Sequence, residues 1–295
     1  MSLSVIAAAA AAVVGGTGAF FSDSETSTGN TFTAGAIDLK VDSQQHYNNA
    51  VCVPNTQTQD TADYWWQLEE GKTLQNPQYP VIGSACDGTW VETDLGVQHQ
   101  FFDFDDVKPG DMGENTISLH VINNDAWVCA DVDITEDSDN GINEPEDEVA
   151  LPKGDNSDGT PSGDLASNLW FVAWDDRGIQ TDNGVIGKGD NKHQAGEPLL
   201  FNEGPASNVL NGATLALAEA PGAPMVGSND PSSTRYIGLA WCAGTMTADT
   251  NSGDPTCDGT SMGNIAQTDR MKADLTFRVE QARNNPQFRC SREDV

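Results

Sequence analysis

The chain consists of short apolar runs separated by polar, glycine-rich stretches, and the apolar runs have the period of β-strands. Ile37, Leu39 and Val41 alternate with Asp38 and Lys40, which predicts a strand with one buried face. Strands are also predicted at 117–122, 127–134, 237–241 and 273–279, mostly on the same alternation. The run LWFVAW at 169–174 is apolar at every position, which predicts a central strand buried on both faces.

The stretches between these strands predict mostly irregular structure. Residues 43–100 are rich in Gln, Asn and Asp, so we expect a loop region there with one short helix at 61–70. A second short helix fits 214–220, and a further strand is expected from Phe101 up to a turn at Pro109-Gly110. The predicted fold class is therefore all-β, a jelly-roll-like antiparallel β-sandwich with long acidic loop insertions and an extended N-terminal segment.

The charge balance narrows the range of partners. The chain has 45 acidic and 14 basic residues, a net charge of −31. Such a chain repels phosphate, so nucleic-acid binding is excluded as a function, and anionic membrane surfaces are disfavoured. The acidic residues are spread along the whole sequence, which indicates adaptation to high salt, where screening reduces the self-repulsion. A cation-binding surface is the alternative interpretation.

The first residues have the character of an export signal. Residues 3–14 form an apolar run that is followed by small residues up to Ala19, and this run is too short to span a bilayer as a helix. No basic residue precedes the run, and a permanent anchor or a buried Ala-rich helix is the alternative. We expect a cleaved signal segment at 1–19, and hence a secreted, extracellular protein at the cell surface with no stable membrane span after processing.

Two further parts of the chain follow the signal in this interpretation. Residues 20–33 form an extended N-terminal segment, and residues 34–295 form a single β-sandwich domain. Inserts into that domain are expected near 43–100, 151–170 and 202–234.

The six cysteines predict disulfides. Their number is even and no C-x-x-C pair occurs, which argues against a zinc ribbon or a thioredoxin-like site, and an exported protein meets oxidising conditions. Many pairings remain open. The spacing favours Cys52–Cys86 and Cys242–Cys257, each closing a local polar loop, which leaves Cys129–Cys290.

Four segments carry a resemblance to a known family. They are FFSDSETSTGNTFTAGAIDLKV at 20–41, FDDVKPGDMGENTISLHVINN at 104–124, NDAWVCADVDITEDSDNGINEPE at 124–146 and DRMKADLTFRVEQARNNPQFRC at 269–290. In these the chain resembles the TasA/camelysin family of secreted filament proteins, including archaeal bundling-pilus subunits. The resemblance implies a jelly-roll subunit that is exported, trimmed and polymerised head-to-tail with copies of itself by donor-strand complementation.

Residues 20–33 have the character of a donor strand. The segment is too polar to fold alone, but Phe20, Phe21 and Phe32 can serve as apolar anchors, and Asn30 lies among them. An extended segment of this kind can add a strand to an exposed sheet edge of a neighbouring copy. A processed tail without a partner is the alternative.

Two acidic stretches are candidate cation sites. Residues 136–146 crowd oxygen donors around Gly141, and Ca²⁺ prefers such ligands. The stretch lacks the spacing of an EF-hand loop. Ca²⁺ is therefore the one cofactor considered, and its candidate ligands are Asp137, Asp139, Asn143 and Glu144. A second candidate comprises Asp175, Asp176, Asp182, Asn183, Asp190, Asn191 and Glu197. A solvated acidic loop is the alternative for both stretches.

The sequence gives little support for an enzyme, although some members of the resembled family have been described as metalloproteases. No H-E-x-x-H motif occurs among the four histidines, and His120 is expected on the exposed face of a strand. The G-x-S-x-G match at 259–263 follows a polar loop, and no histidine comes after it, so a Gly/Ser turn is the better interpretation. We therefore predict no catalytic residues. A non-polymerising surface or adhesion module remains open, with Tyr64, Trp65 and Trp66 as candidate contact residues.

Overall fold

A computed structural model describes residues 37–55, 63–75, 79–141, 143–147, 163–228, 233–249 and 253–291. The chain divides into the units Met1–Ala36 and Ile37–Val295, and all the described residues lie in the second unit. The first strands of this unit are β1 (Asp38–Tyr47), β2 (Ala50–Pro54), β3 (Tyr64–Leu68), β4 (Trp90–Thr93), β5 (Met112–Ile122), β6 (Ala126–Ser138), β7 (Leu169–Asp175) and β8 (Ile179–Thr181). The others are β9 (Gly184–Ile186), β10 (Leu199–Pro205), β11 (Ala213–Ala218), β12 (Arg235–Ala243), β13 (Thr245–Asp249), β14 (Gly253–Asp258) and β15 (Arg270–Gln281).

The helices of the described residues are short. They are α1 (Glu144–Asp147), α2 (Leu165–Asn168), α3 (Ala206–Val209) and a 3-10 turn at Gly259–Ser261. None of these described helices is long and apolar enough to cross a bilayer.

Two antiparallel sheets form the body of the fold. The larger sheet has eight strands in the order β10-β7-β12-β5-β1-β2-β3, with β4 paired to β1, and the smaller sheet has three in the order β11-β6-β15. The hairpins β8–β9 and β13–β14 form separate two-stranded sheets. The protein is therefore an all-β sandwich, as the sequence predicts.

Alternation along the strands places the main core between the two sheets. On β5, Ile117, Leu119 and Val121 are fully buried, and on β6 Val128 and Ala130 are buried in the same cluster. The intervening residues of each strand face away from this core. The period-2 pattern in the sequence thus corresponds directly to the inner and outer faces of the sheets.

The strand β7 is buried on both faces, which explains its uninterrupted apolar sequence. Phe171 and Ala173 belong to the clusters between the sheets, whereas Val172 and Trp174 pack on the outer face with Met246 of β13. The Trp174 indole lies directly on Gly238 of the neighbouring β12, where an added Cβ atom would approach it to 2.0 Å. Glycine is therefore required at position 238 for this packing.

Three of the local predictions are wrong. Residues 43–100 contain most of β1 and all of β2, β3 and β4, and the expected helix at 61–70 is replaced by β3 over its described part. The expected helix at 214–220 is the strand β11, because its residues pair with the central strand β6. Tertiary pairing overrides local propensity at both places.

The third wrong prediction is the strand expected from Phe101. The structure has no strand between Phe101 and Pro109. The carbonyl oxygen of Phe101 accepts hydrogen bonds from the side-chain amides of Gln45 and Asn115, each at 2.9 Å. Phe102 and Phe104 pack against one core cluster. The segment therefore closes the end of the core instead of joining a sheet.

Candidate functional site

The strand β15 is an edge strand with a free side. Among the residues that the structure describes, β15 pairs only with β6. The Ala282 N–H donates to the Asp125 carbonyl at 2.9 Å, and the register runs unshifted from there back to Ala273. In an antiparallel ladder every second residue then points its N–H and C=O away from the partner strand. On β15 these residues are Ala273, Leu275, Phe277 and Val279.

The inward face of this edge is incompletely covered. Leu275, Phe277 and Val279 lie opposite the buried Val132, Ala130 and Val128 of β6, yet all three remain only partly buried. Partly buried apolar residues of the same core cluster on the larger sheet side include Leu39 and Phe101. A long edge strand with an exposed apolar face is a site where another strand can add to the sheet.

The outward face of the smaller sheet is covered by the C-terminal strap, which we define as residues 282–291. The Trp127 Nε1–H of β6 donates to the Asn285 carbonyl at 2.7 Å, and Cys129 is bonded to Cys290. Arg278 of β15 donates to the Ser291 carbonyl at 3.1 Å. The strap thus closes the outer face of β6 and β15 and leaves the side edge of β15 open.

The cysteines form three disulfides, Cys52–Cys86, Cys129–Cys290 and Cys242–Cys257. These are the three pairs that the spacing favours. Cys52–Cys86 joins β2 to the loop before β4, and Cys242–Cys257 joins β12 to the hairpin that covers its outer face. Each bond links segments that already pack together, so each restrains a different part of the sandwich.

A group of three carboxylates lies at one end of the smaller sheet. Asp139 directly follows β6, Asp269 directly precedes β15, and Glu146 lies on α1. One oxygen from each lies within 4.8 Å of the others, and Glu146 is buried. We call these three residues the acidic cluster.

The predicted calcium ligands are only partly brought together. Asp139 belongs to the acidic cluster, whereas Glu144 is exposed. The Asn143 side chain accepts a hydrogen bond from the Glu146 N–H at 3.1 Å, and the Asn143 N–H donates to Glu146 Oε2 at 3.2 Å. This reciprocal pair is a capping box at the start of α1. Asn143 therefore positions Glu146.

Two oxygens beside the cluster are buried and accept no hydrogen bond, namely Oδ1 of Asp137 and Oδ1 of Asp269. The other oxygen of Asp269 accepts hydrogen bonds from the backbone N–H groups of Asp164 and Leu165. Burial raises the pKa of both Asp137 and Asp269 above the usual range. Sequence reasoning missed Glu146 and Asp269, and no local pattern marks Asp269, which joins the cluster only through the β6–β15 pairing.

The second acidic stretch forms a different arrangement. Asp176 is fully buried, and its oxygens accept the backbone N–H groups of Gly189 and Asn191 at 2.9 and 3.1 Å. Glu197 is buried likewise and accepts the N–H groups of Gly178 and Gln194. These two carboxylates organise the loop between β7 and β10. Burial raises the pKa of Asp176 to about 7.

The rest of that stretch lies at the surface or in the loop. Asp175 faces Arg235 at 3.0 Å, and Asn191 donates to Glu114 Oε2 at 3.2 Å. Asp182 and Asn183 are exposed in the β8–β9 turn, and Asp190 accepts from the Gln194 side chain at 2.8 Å. Burial, followed by the charge of Asp254, raises the pKa of Glu114 to about 8.

Within the described parts of the chain, no histidine joins a group of three or more metal-ligating side chains. His46 contacts Glu69 at 2.8 Å, and His120 contacts Asp42 at 2.6 Å. His193 is buried, with its two ring nitrogens each 3.2 Å from a backbone carbonyl oxygen. Ser261, at the centre of the G-x-S-x-G match, lies in a 3-10 turn after β14 with its Oγ 2.7 Å from Thr245 Oγ1.

The aromatic residues Tyr64, Trp65 and Trp66 lie on β3. Trp66 is buried in a core cluster and makes an edge contact with Tyr47 at a centroid distance of 6.1 Å. Tyr64 and Trp65 are partly buried. The candidate donor residues Phe20, Phe21, Asn30 and Phe32 lie outside the described residues.

Comparison with known proteins places the first part of the chain. A family model described as camelysin metallo-endopeptidase matches residues 1–76. The matched region includes β1, β2 and β3 of the larger sheet. A search of curated proteins found no match. The chain is therefore similar to the camelysin family over residues 1–76, in agreement with the resemblance that the sequence indicates.

Proposed function

We propose that this protein is a secreted structural subunit of an extracellular filament, a pilus or a biofilm-matrix fibre, polymerised by donor-strand complementation and adapted to high salt. The observation that carries the proposal is the free edge of β15. Its outward-pointing backbone groups and its partly exposed Leu275, Phe277 and Val279 fit an added strand. The similarity of residues 1–76 to the camelysin family supports the same interpretation.

The proposed occupant of this edge is residues 20–33 of a second copy. This segment is about as long as the 12-residue β15, and an extended chain of that length spans about 45 Å. Its phenylalanines provide apolar side chains for the uncovered face. Donor and acceptor are different surfaces of one chain, so the contact is head-to-tail and does not close into a dimer.

The other edge strands fit this role less well. The strands β3, β10 and β11 have 5, 7 and 6 residues, and the pairing of β10 and β11 with their neighbours is interrupted by register shifts. Short or bulged edges are poor templates for strand addition. The straight part of β15, from Ala273 to Gln281, has no such interruption.

Deletion of residues 20–33 tests the donor role. We expect the purified wild-type subunit to form regular fibres in the electron microscope at high concentration and molar salt. The deleted chain should stay monomeric while keeping its β-sheet circular dichroism spectrum and its cooperative unfolding. Fibres formed by the deleted chain would contradict the donor role.

A matched pair of proline variants tests the acceptor edge. Ala273→Pro removes one outward N–H of β15, and Ala216→Pro removes one outward N–H of β11 at the opposite edge of the same sheet. Ala273→Pro should slow or abolish fibre growth, whereas Ala216→Pro should leave it nearly unchanged. The opposite order would assign the acceptor role to β11.

A metalloprotease is the second candidate function, and the description of the matched family is the observation that favours it. Casein digestion by the purified chain in the presence and absence of zinc measures this activity. Zinc-dependent digestion that a chelator abolishes would establish it. Monodisperse particles without fibres or protease activity would instead favour the third interpretation, a non-polymerising surface or adhesion module.

A further inference from the structure

The acidic cluster lies where two strands of the smaller sheet begin and end. Ser138, the last residue of β6, is paired with Arg270, the first residue of β15. Asp139 and Asp269 are the next residues beyond this pair, so they extend the ladder at directly opposite positions. Like charges at opposite positions of a ladder destabilise a sheet. The arrangement therefore needs a compensating positive charge.

Glu146 brings a third carboxylate to the same point. Its capping box with Asn143 fixes the start of α1, and Asn143 is itself held by a side-chain hydrogen bond to Gln267 at 2.8 Å. The backbone in this region is also organised, because Asn140 Nδ2 donates to the Thr268 carbonyl at 3.0 Å and the Thr268 hydroxyl donates to the Gly141 carbonyl. The two loops are thus tied together before any ligand is considered.

The buried oxygens are the second observation that points to a cation. Oδ1 of Asp269 is shielded from solvent and accepts no hydrogen bond, although Oδ2 of the same group accepts two. Oδ1 of Asp137, one strand position from Ser138, is shielded and without a donor in the same way. A buried carboxylate oxygen without a donor costs free energy unless a positive charge meets it.

We propose that Asp139, Glu146 and Asp269 form a calcium site that ties the end of β6 to the start of β15. Three carboxylates can supply up to six oxygens, and water can complete the coordination of a cation that takes six to eight. The ligand atoms lie within 4.8 Å of one another, about twice a Ca²⁺–oxygen distance. Mg²⁺ is smaller and retains its own water, so it fits this cage less well.

The site stabilises the proposed acceptor edge but does not depend on assembly. Calcium would fix the first residues of β15 against β6, and the free edge begins four residues further along the strand, at Ala273. Binding can be measured on the folded subunit whether or not the subunit polymerises. Calcium binding by a chain that forms no fibres would leave the site in place and remove the filament function. Fibres from a chain that ignores calcium would do the reverse.

Thermal unfolding and calorimetric titration of the full chain test the site. After treatment with a chelator, the protein is titrated with CaCl₂ in a high-salt buffer, with MgCl₂ and ionic-strength-matched NaCl as comparisons. We expect Ca²⁺ to raise the Tm with a Kd of about 10⁻⁴ to 10⁻³ M, the range of extracellular calcium modules. Equal shifts from NaCl and CaCl₂ would overturn the proposal.

Single substitutions then assign the ligands. Asp269→Asn retains an oxygen for the Asp164 and Leu165 N–H groups but removes a charge, and it should weaken calcium binding by about tenfold or more. Asp139→Asn provides the same test at a less buried position. Asp274→Asn, at an exposed position on the same strand, is the matched control and should bind like the wild type. Wild-type calcium affinity in both cluster variants would contradict the assignment.

Discussion

The residue His120 links three neighbouring strands of the larger sheet. It lies on β5, its Nε2 is 2.6 Å from Asp42 Oδ2 on β1, and its Nδ1 is 3.7 Å from Glu92 Oε2 on β4. Thr234, just before β12, places its hydroxyl 3.2 Å from the same Nδ1. The hydrogen bond to Asp42, followed by the charges of Asp42 and Glu92, outweighs burial and raises the pKa of His120 above its usual value.

This raised pKa gives a testable pH dependence. The folded state holds the His120 proton more tightly than the unfolded state does. The stabilisation is therefore fully present below the unfolded pKa of about 6.5 and is lost as the pH rises through the higher folded pKa. Relative to His120→Gln, we expect the wild type to gain about 1 kcal/mol in free energy of unfolding at pH 5.5 and to lose most of that gain by pH 9. Urea unfolding at several pH values measures it, and a pH-independent difference would contradict the ion pair.

Buried polar residues explain why the sequence predicted some positions poorly. Ser43, Gln45 and Asn115 are buried although they are polar. Gln45 and Asn115 bind the Phe101 carbonyl, so their burial follows from a partner far away in the chain. Their polarity made 43–100 resemble a loop, and no local pattern reveals the partner.

At the scale of elements, the strands with apolar alternation were predictable. The strands β5, β6, β7, β12 and β15 all occupy or overlap their expected ranges, because one or both of their faces build the core. The short strands β2, β4, β8, β9 and β14 bury few side chains, so their sequences carry weak periodicity. The acidic cluster was half predictable, since Asp139 lies in a recognisable acidic loop whereas Asp269 joins it through sheet pairing.

The C-terminal strap is the element whose attachment is most easily tested. Cys129–Cys290 closes a loop with a sequence separation of 161, against 15 for Cys242–Cys257. Replacing both cysteines of the first pair by serine should cost about 5 kcal/mol of unfolding free energy, and replacing those of the second pair about 3 kcal/mol. Limited trypsin digestion should also cut the freed strap at Arg283 and Arg289. Equal losses for the two pairs and an uncut strap would show that the hydrogen bonds alone hold it.

At the scale of the whole molecule, the net charge of −31 dominates the electrostatics. Partly buried Glu114 illustrates the cost, because desolvation and the charges of Asp254 and Glu69 oppose its ionisation. Self-repulsion of this size destabilises the compact state in dilute buffer, and salt screens it.

Stability should therefore increase with salt. We expect the Tm at neutral pH to rise steadily from about 0.05 M to above 1 M KCl, where the screening length falls to about 3 Å. A protein lacking part of the excess charge, made by changing several exposed acids to their amides, should show a weaker salt dependence. Differential scanning calorimetry measures both, and a Tm independent of KCl would contradict salt adaptation.

The strap and the β6–β15 ladder together have a mechanical consequence. In a fibre of the proposed kind, tension along the fibre axis reaches each subunit through β15, whose hydrogen bonds to β6 run the length of the strand. When such a ladder is sheared, many bonds share the load and must break together. The covalent clamp from Cys129 to Cys290 holds the outer side of the same sheet, so stretching should extend the fibre between subunits before any subunit unravels.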